Sequence, residues 1–335
     1  PYRYNSIYIY IQTKLILVIQ YLRNMLMNEK QIVLNLVNFW RIPLFLPLFM
    51  LLITGVAYGL VYALVGIGVN GGIPPLAFAF WMSLGAGLIL LIFCLHGSNF
   101  PGMKFSHLRS YFATGISGFG VPYVAVTIAT LEGVPVGITS MLVALAPILT
   151  YLGAVVFRLD GFSLIKSFGF IVGVAGVLLI VIPEASLPSP DLVGWVLLVL
   201  LAPFGYATSA LAAALLPPPK SNAIQFSTGF FLAASCFLFI FMAGNGDWWW
   251  FSGHMSDADW ALIMCAPLQA LGIYLFLEII RIMGPVFFTS VNFITPVTGI
   301  LWGIAFFGEK LSFWVLIALI PLFMGVFFVN LKGKK

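Results

Sequence analysis

The sequence predicts an all-α membrane protein: ten transmembrane helices arranged as two inverted five-helix repeats. Three observations predict it, namely the composition, a series of helix-length apolar windows, and an internal repeat with an odd number of spans in each half. Of the 335 residues, 62% are hydrophobic and 7% charged. A soluble domain has roughly 45–50% apolar and about 25% charged residues. The mean hydropathy of +1.11 agrees. These values exclude a water-soluble fold, a disordered chain and a nucleic-acid-binding domain, the last in spite of a net charge of +5. Cys94, Cys236 and Cys265 all lie in apolar runs with no CxxC or metal-ligand spacing, so neither a disulfide framework nor a metal site is expected. No cofactor is expected either.

A membrane-spanning helix needs about 20 mostly apolar residues. Such windows fall at 45–67, 74–95, 109–130, 134–156, 164–182, 192–216, 223–243, 260–280, 285–307 and 312–331. The connections between them, such as GVNGGIPP, LPPPKSN and FGEKLS, are short and rich in turn residues, and leave no room for a soluble domain.

Orientation follows from the basic residues. With the N-terminus in the cytoplasm, 14 of the 15 lysines and arginines fall in inner segments, and only Lys310 lies outside. Seven of the ten acidic residues then fall outside, although acids carry little weight in the positive-inside rule. Both termini are therefore expected in the cytoplasm, of a cell whose plasma (inner) membrane the protein spans. Trp248, Trp249, Trp250 and Trp260 then sit at the outer interface, where amphipathic rings are favoured.

Residues 1–44 read as a separate segment. The stretch IYIYIQTKLILVIQYL is apolar but interrupted by Lys14 and flanked by Arg3 and Arg23, and counting it as a span would reverse the charge pattern that follows. Two readings stay open: an interfacial helix on the inner leaflet, or a start of translation at Met25 or Met27.

The internal repeat lies at an offset of 149: VPVGITSMLVALAPILTYLGAVVFRLDGFS aligns with MGPVFFTSVNFITPVTGILWGIAFFGEKLS, placing Pro147 on Pro296, Asp160 on Glu309 and Gly176 on Gly325. Upstream, PPLAFAFWMSLGAGLILLI aligns with NAIQFSTGFFLAASCFLFI at 148. The halves are 45–182 and 192–331. Five spans per half force the second half into the membrane from the opposite side. Inverted halves provide two states of similar energy, open to opposite faces around a midplane site. That is the mechanics of a secondary transporter.

The small-residue fourth span ending near Pro147, and NFITPVTGILWGIAFFGEKLSFWVLIALIPLFMGVFF at the end of the chain, resemble the EamA-type family of the drug/metabolite transporter superfamily. The resemblance covers 45–331. In the first half Leu159-Asp160 stands where the family has Gly-Glu, which keeps the acid, and Trp81 stands where the family often has a basic residue. The resemblance implies a small-molecule solute as partner within the lipid bilayer, most specifically export of amino acids or related compounds. A facilitative or drug-exporting carrier is the alternative within transport. It also implies a cavity lined by helices one, three, four, six, eight and nine.

Polar residues within those spans supply the candidate site, because an unpartnered polar group in hydrocarbon costs several kcal/mol. Tyr62, Tyr123, Tyr206, Gln269, Tyr274 and Asn292 are the candidate substrate-binding residues, with Tyr58, Ser290 and Thr295 in the same polar set. Interhelical hydrogen bonding alone would account for any one of them. Asn292 stands out because Pro296, four residues on, has no N–H to donate to the Asn292 carbonyl. Glu278 is the candidate proton-coupling carboxylate, and an i,i+3 pair with Arg281 is its structural alternative. Asp160, Glu309 and Glu132 read as loop or capping residues near the interfaces. The absence of buried lysine or arginine argues against highly charged solutes such as sugar phosphates.

No catalytic residue is expected. Gly115-Ile116-Ser117-Gly118 matches a motif of intramembrane serine proteases, but His96, His107 and His254 fall in expected loops, so the serine has no base. A membrane enzyme or structural membrane protein remains the reading from another class.

Overall fold

The computed structural model describes residues 45–97, 100–182, 186–251, 253–283, 285–288 and 290–331. The N-terminal segment 1–44, Glu184, the C-terminal lysines and the side chain of Arg281 lie outside the described residues, and the expectations placed on them go no further here. Met50–Lys335 is one compact unit, and the account below concerns it.

Ten apolar helices follow one another: α1 (Phe45–Asn70), α2 (Pro75–His96), α3 (Phe105–Leu131), α4 (Val136–Val156), α5 (Leu164–Val181), α6 (Pro190–Leu215), α7 (Ala223–Asn245), α8 (Asp257–Met283), α9 (Val291–Phe307) and α10 (Phe313–Asn330). Among the described residues nine are long and apolar enough to cross a membrane, α8 by its stretch Asp257–Phe276, and α9 is a shorter tenth. It is preceded by a single turn, Pro285–Phe288. The helices begin and end where the local chemistry dictates. Asn222 and Gln225 form a reciprocal capping box at the start of α7. Gly246 and Gly308, at φ of 73° and 62°, end α7 and α9 in the left-handed conformation that glycine adopts without steric cost.

Three helices are irregular within their spans, α6 by an interruption at Leu200. In α3 the run Ile116–Gly120 is π-helical, and Pro122 follows it in the next α-helical stretch. In α4 the helix is interrupted at Ala144-Leu145, just before Pro147. Hydroxyls within the spans bond to their own helix: Thr54 to the Met50 carbonyl, Thr127 to Tyr123 and Thr130 to Val126. A hydroxyl that bonds back along its helix needs no partner across the bundle.

The inverted repeat is visible in the packing. Helices α5 and α10 are repeat equivalents, and they cross at their glycines. Gly325 approaches the Gly169 carbonyl, and Gly176 approaches the Ala318 carbonyl. The offset of 149 carries one of these contacts onto the other, as a pseudo-two-fold axis between the two helices requires. Helices α2 and α7 pair in the same way, and the Ser83 hydroxyl donates to the carbonyl of its own repeat equivalent, Phe231, at 2.8 Å. The remaining neighbours swap accordingly: α3 packs on α7 and α8 on α2.

Basic Lys104, Arg158, Lys166 and Lys220 mark one end of the bundle, and acidic Glu132, Asp191, Asp247 and Glu309 the other. These ends are called the basic and acidic faces below. At the acidic face Trp81 donates its indole N–H to the Trp249 carbonyl at 3.0 Å and meets Trp250 edge-on.

The α5–α10 crossing generates a prediction. A Cβ on Gly325 would lie 2.7 Å from the Gly169 carbonyl oxygen, which is backbone and cannot step aside. Overpacking of this kind costs about 1–3 kcal/mol. Gly325→Val should therefore lower the melting temperature of the purified protein, whereas Gly194→Ala, with nothing within 4 Å, should leave it within error.

Candidate functional site

A cavity of about 270 Å³ lies between the repeats at mid-height. It is built where helix irregularity and large side chains coincide. The π segment of α3 brings Gly118 and Phe119 to its wall, the α4 interruption brings Val143 and Ala144, and α9 contributes Asn292, Thr295 and Pro296. A π turn shifts the register of everything beyond it, which is why such segments recur at functional sites.

Five of the six residues expected to bind solute meet there: Tyr62, Tyr123, Tyr206, Gln269 and Asn292. Tyr62, Tyr123 and Gln269 are buried, with 5–6% of their surface exposed, and Tyr206 and Asn292 are half-buried. The Gln269 amide donates to the Tyr123 hydroxyl, and the Tyr206 hydroxyl lies near those of Tyr62 and Tyr123. On the opposite wall the Ser140 hydroxyl donates to the Gly137 carbonyl at 2.8 Å and reaches the Pro296 carbonyl at 3.3 Å, tying α4 to α9.

The sixth residue, Tyr274, is not brought to the cavity; it is 48% exposed on the surface of α8. The spacing from Gln269 explains this. Five residues along an α-helix is about 500°, so Tyr274 is turned some 140° from Gln269. Glu278 is half-buried further along α8 and also lies outside the cavity lining.

An aromatic wall went unrecognised in the sequence. Phe119 stacks on Tyr123 with ring centroids 4.2 Å apart, and Phe231 meets Phe119 edge-on at 5.2 Å. Phe230 and Phe288 also line the space, as does Tyr58 of the wider polar set. With 32 phenylalanines in an apolar chain, a phenylalanine has no signal of its own. The three glycines at 115, 118 and 120 followed by Pro122 could have drawn attention to this part of α3.

The protease-like motif dissolves on inspection. His107 lies in the first turn of α3, which begins at Phe105 and not at the expected 109, and its Nε2 contacts the Pro219 carbonyl at 2.9 Å. The Ser117 hydroxyl donates to the Ala113 carbonyl of its own helix at 2.6 Å. Neither side chain is placed to activate the other.

The network generates a second prediction. Tyr123→Phe removes the acceptor of a buried amide, and leaving such a group unsatisfied costs about 1–3 kcal/mol. The melting temperature should fall, and the double variant Tyr123→Phe/Gln269→Leu should recover most of the loss in the same assay.

Comparison with known proteins fits this architecture. No curated protein matches the chain. A solved structure described as the crystal structure of a protein superimposes with a TM-score of 0.55, covering 83% of this chain and 95% of that one at 16% identity, a likeness of fold alone. The EamA-like transporter family matches twice, over 45–182 and 193–331, one match for each five-helix half. With an apolar ten-helix bundle and a double match that spans most of its length, the chain belongs to the EamA-like transporter family, integral membrane proteins that carry solutes and are not enzymes.

Proposed function

We propose that this transporter carries small, uncharged or zwitterionic polar metabolites by alternating access, and that its physiological task is the export of amino acids or related compounds. One observation carries the reading: among the described residues, the cavity at the repeat interface is lined by tyrosine hydroxyls, amides and aromatic rings, and by no Asp, Glu, Lys or Arg. A solute with net charge would enter that space unpaired, at a cost far above what neutral hydrogen bonds return. A solute with an apolar or aromatic part and a few hydrogen-bonding groups matches the wall chemistry, and 270 Å³ holds a molecule of amino-acid size.

In this reading the basic face is cytoplasmic, following the distribution of lysine and arginine, and the membrane is the plasma membrane. Asn292 is the proposed recognition amide. It stands at the first turn of α9, one turn before Pro296, and lines the cavity. Glu278 is the proposed coupling carboxylate, acting from α8 toward the basic face.

Reconstituted protein in liposomes tests the proposal. Counterflow of radiolabelled amino acids should saturate with concentration. Flux confined to hydrophobic organic cations would replace this substrate class with that of a drug exporter. Asn292→Ala should raise the half-saturating concentration about tenfold, the loss of one or two hydrogen bonds to solute, with the melting temperature nearly unchanged. A structural asparagine would give the reverse, normal flux per folded molecule and a lower melting temperature.

Glu278→Gln should abolish stimulation of flux by an imposed pH gradient. Wild-type flux indifferent to the gradient would remove the coupling role and leave a uniporter.

A further inference from the structure

The repeat-equivalent loops, after α9 at the acidic face and after α4 at the basic face, are built unequally. After α9 the chain turns at Gly308, and Glu309 reaches across to the other repeat. Its carboxylate accepts the backbone N–H of Val136 at 2.5 Å and of Gly137 at 3.0 Å, the first two residues of α4. A carboxylate there meets unsatisfied N–H groups and the positive end of the helix dipole. Two glycines make the slot: a Cβ on Gly303 would lie 2.3 Å from the carboxylate, and one on Gly137 would lie 3.2 Å from it. Burial pushes the Glu309 carboxyl above the usual carboxylate range, and the two backbone donors offset part of that push.

The equivalent loop of the first repeat shares one backbone bond but places its left-handed residue at Arg158, one position before the equivalent of Gly308, and lacks the device. Asp160 N–H donates to the Ala154 carbonyl at 3.1 Å, as Glu309 N–H does to the Gly303 carbonyl at 3.4 Å. Yet three parts are missing. The acid is a methylene shorter, Ala154 stands where Gly303 opens the slot, and the repeat equivalent of Val136 is Pro285, which has no N–H. The Asp160 carboxylate turns to Lys166 at 2.6 Å instead, an exposed pair within its own repeat.

The cavity lies beneath this contact: its lining reaches Ser140, about one helical turn from the Val136 end of α4, stops about two turns short of the acidic ends of α1 and α3 at Tyr62 and Tyr123, and extends along α9 to the basic-face end at Phe288 and Val291.

We propose that Glu309 is a one-sided latch: it holds the acidic-face mouth shut by binding the N-terminus of α4 across the repeat interface, with no counterpart at the basic face among the described residues, so that the empty carrier rests open toward the basic face and loads solute there. Glu309 acts as a positioning residue. It touches no solute, and it biases the equilibrium between the two states. The inference rests on the alternating-access reading above and deepens it by assigning the loading side. Loading from the basic face, the cytoplasmic one by its charge, is what export requires.

The test measures the state of the empty protein and needs no solute. In protein with Cys94, Cys236 and Cys265 replaced by alanine, spin labels at Glu132→Cys and Lys310→Cys span the acidic mouth, one in each repeat. Distances between them are read in lipid nanodiscs. The parent should show one short-distance population. Glu309→Gln should raise the ratio of long to short distances about tenfold, the worth of one charge-assisted hydrogen bond. Val136→Pro gives a second route that leaves the carboxylate intact. It removes one donor at the first helical position, where proline is tolerated and where Pro135, at φ −57° and ψ 139°, already has the conformation a following proline demands. Its distance ratio should lie between those of the parent and Glu309→Gln. Asp160→Asn should leave the distances unchanged.

A lowered melting temperature with unchanged distances in both Glu309→Gln and Val136→Pro would overturn the latch and leave a helix cap. An Asp160→Asn shift as large as that of Glu309→Gln would overturn its one-sidedness. Distances that respond as expected in a protein that moves no solute would sustain the latch and defeat the transport reading, so the two can fail separately.

Discussion

Hydrocarbon offers no hydrogen bond, and most of this structure can be derived from that constraint. Each backbone N–H and C=O within a span must find its partner inside the protein, which restricts the spanning elements to helices. The same rule governs side chains. Thr54, Thr127 and Thr130 bond back along their own helices, and the Trp302 indole reaches the Val56 carbonyl at 3.3 Å. At Tyr62, Tyr123, Tyr206 and Gln269 polar atoms converge on a cavity, which is where we propose that a solute binds.

The pseudo-two-fold axis is the second organising element. Without a hydrophobic force between helices in lipid, association depends on close packing, and glycine permits the closest approach. The Gly169–Gly325 and Gly176–Ala318 contacts place backbone against backbone at the α5–α10 crossing. They make that pair, together with α2–α7, a scaffold on which the other helices can be exchanged between equivalent positions. The broken helices α3 and α4 sit off this scaffold and line the cavity.

Symmetry of the halves also shows where they differ. The loops after α4 and α9 share a backbone bond, and differ through Asp160 for Glu309, Leu159 for Gly308, Ala154 for Gly303 and Pro285 for Val136, with the left-handed residue at Arg158 in one and at Gly308 in the other. Together they send one carboxylate across the repeat interface and keep the other on its own side. An inverted repeat with identical halves would have no preferred state, so small departures of this kind are where a direction of transport can be encoded.

The ten spans, their short connections, the duplication and its inversion were all legible in the amino-acid sequence. They depend on local composition and on an offset that alignment recovers, and helix formation in lipid leaves no competing backbone structure. Five of the six expected cavity residues were legible for a related reason: a polar side chain in a span needs a partner, and the interior of the bundle is where partners are. Tyr274 was misplaced because the rotational phase of α8 depends on which neighbours it packs against, and composition carries no record of that. The aromatic wall of Phe119, Phe230 and Phe231 was invisible, since a phenylalanine facing lipid and one facing a cavity look alike in an apolar chain. Glu309 was read as a loop or capping residue, and it is a cap; only the tertiary structure decided that the helix it caps belongs to the other repeat. Contacts between residues 173 positions apart follow from how the halves dock, and docking is set by the shapes of many side chains at once.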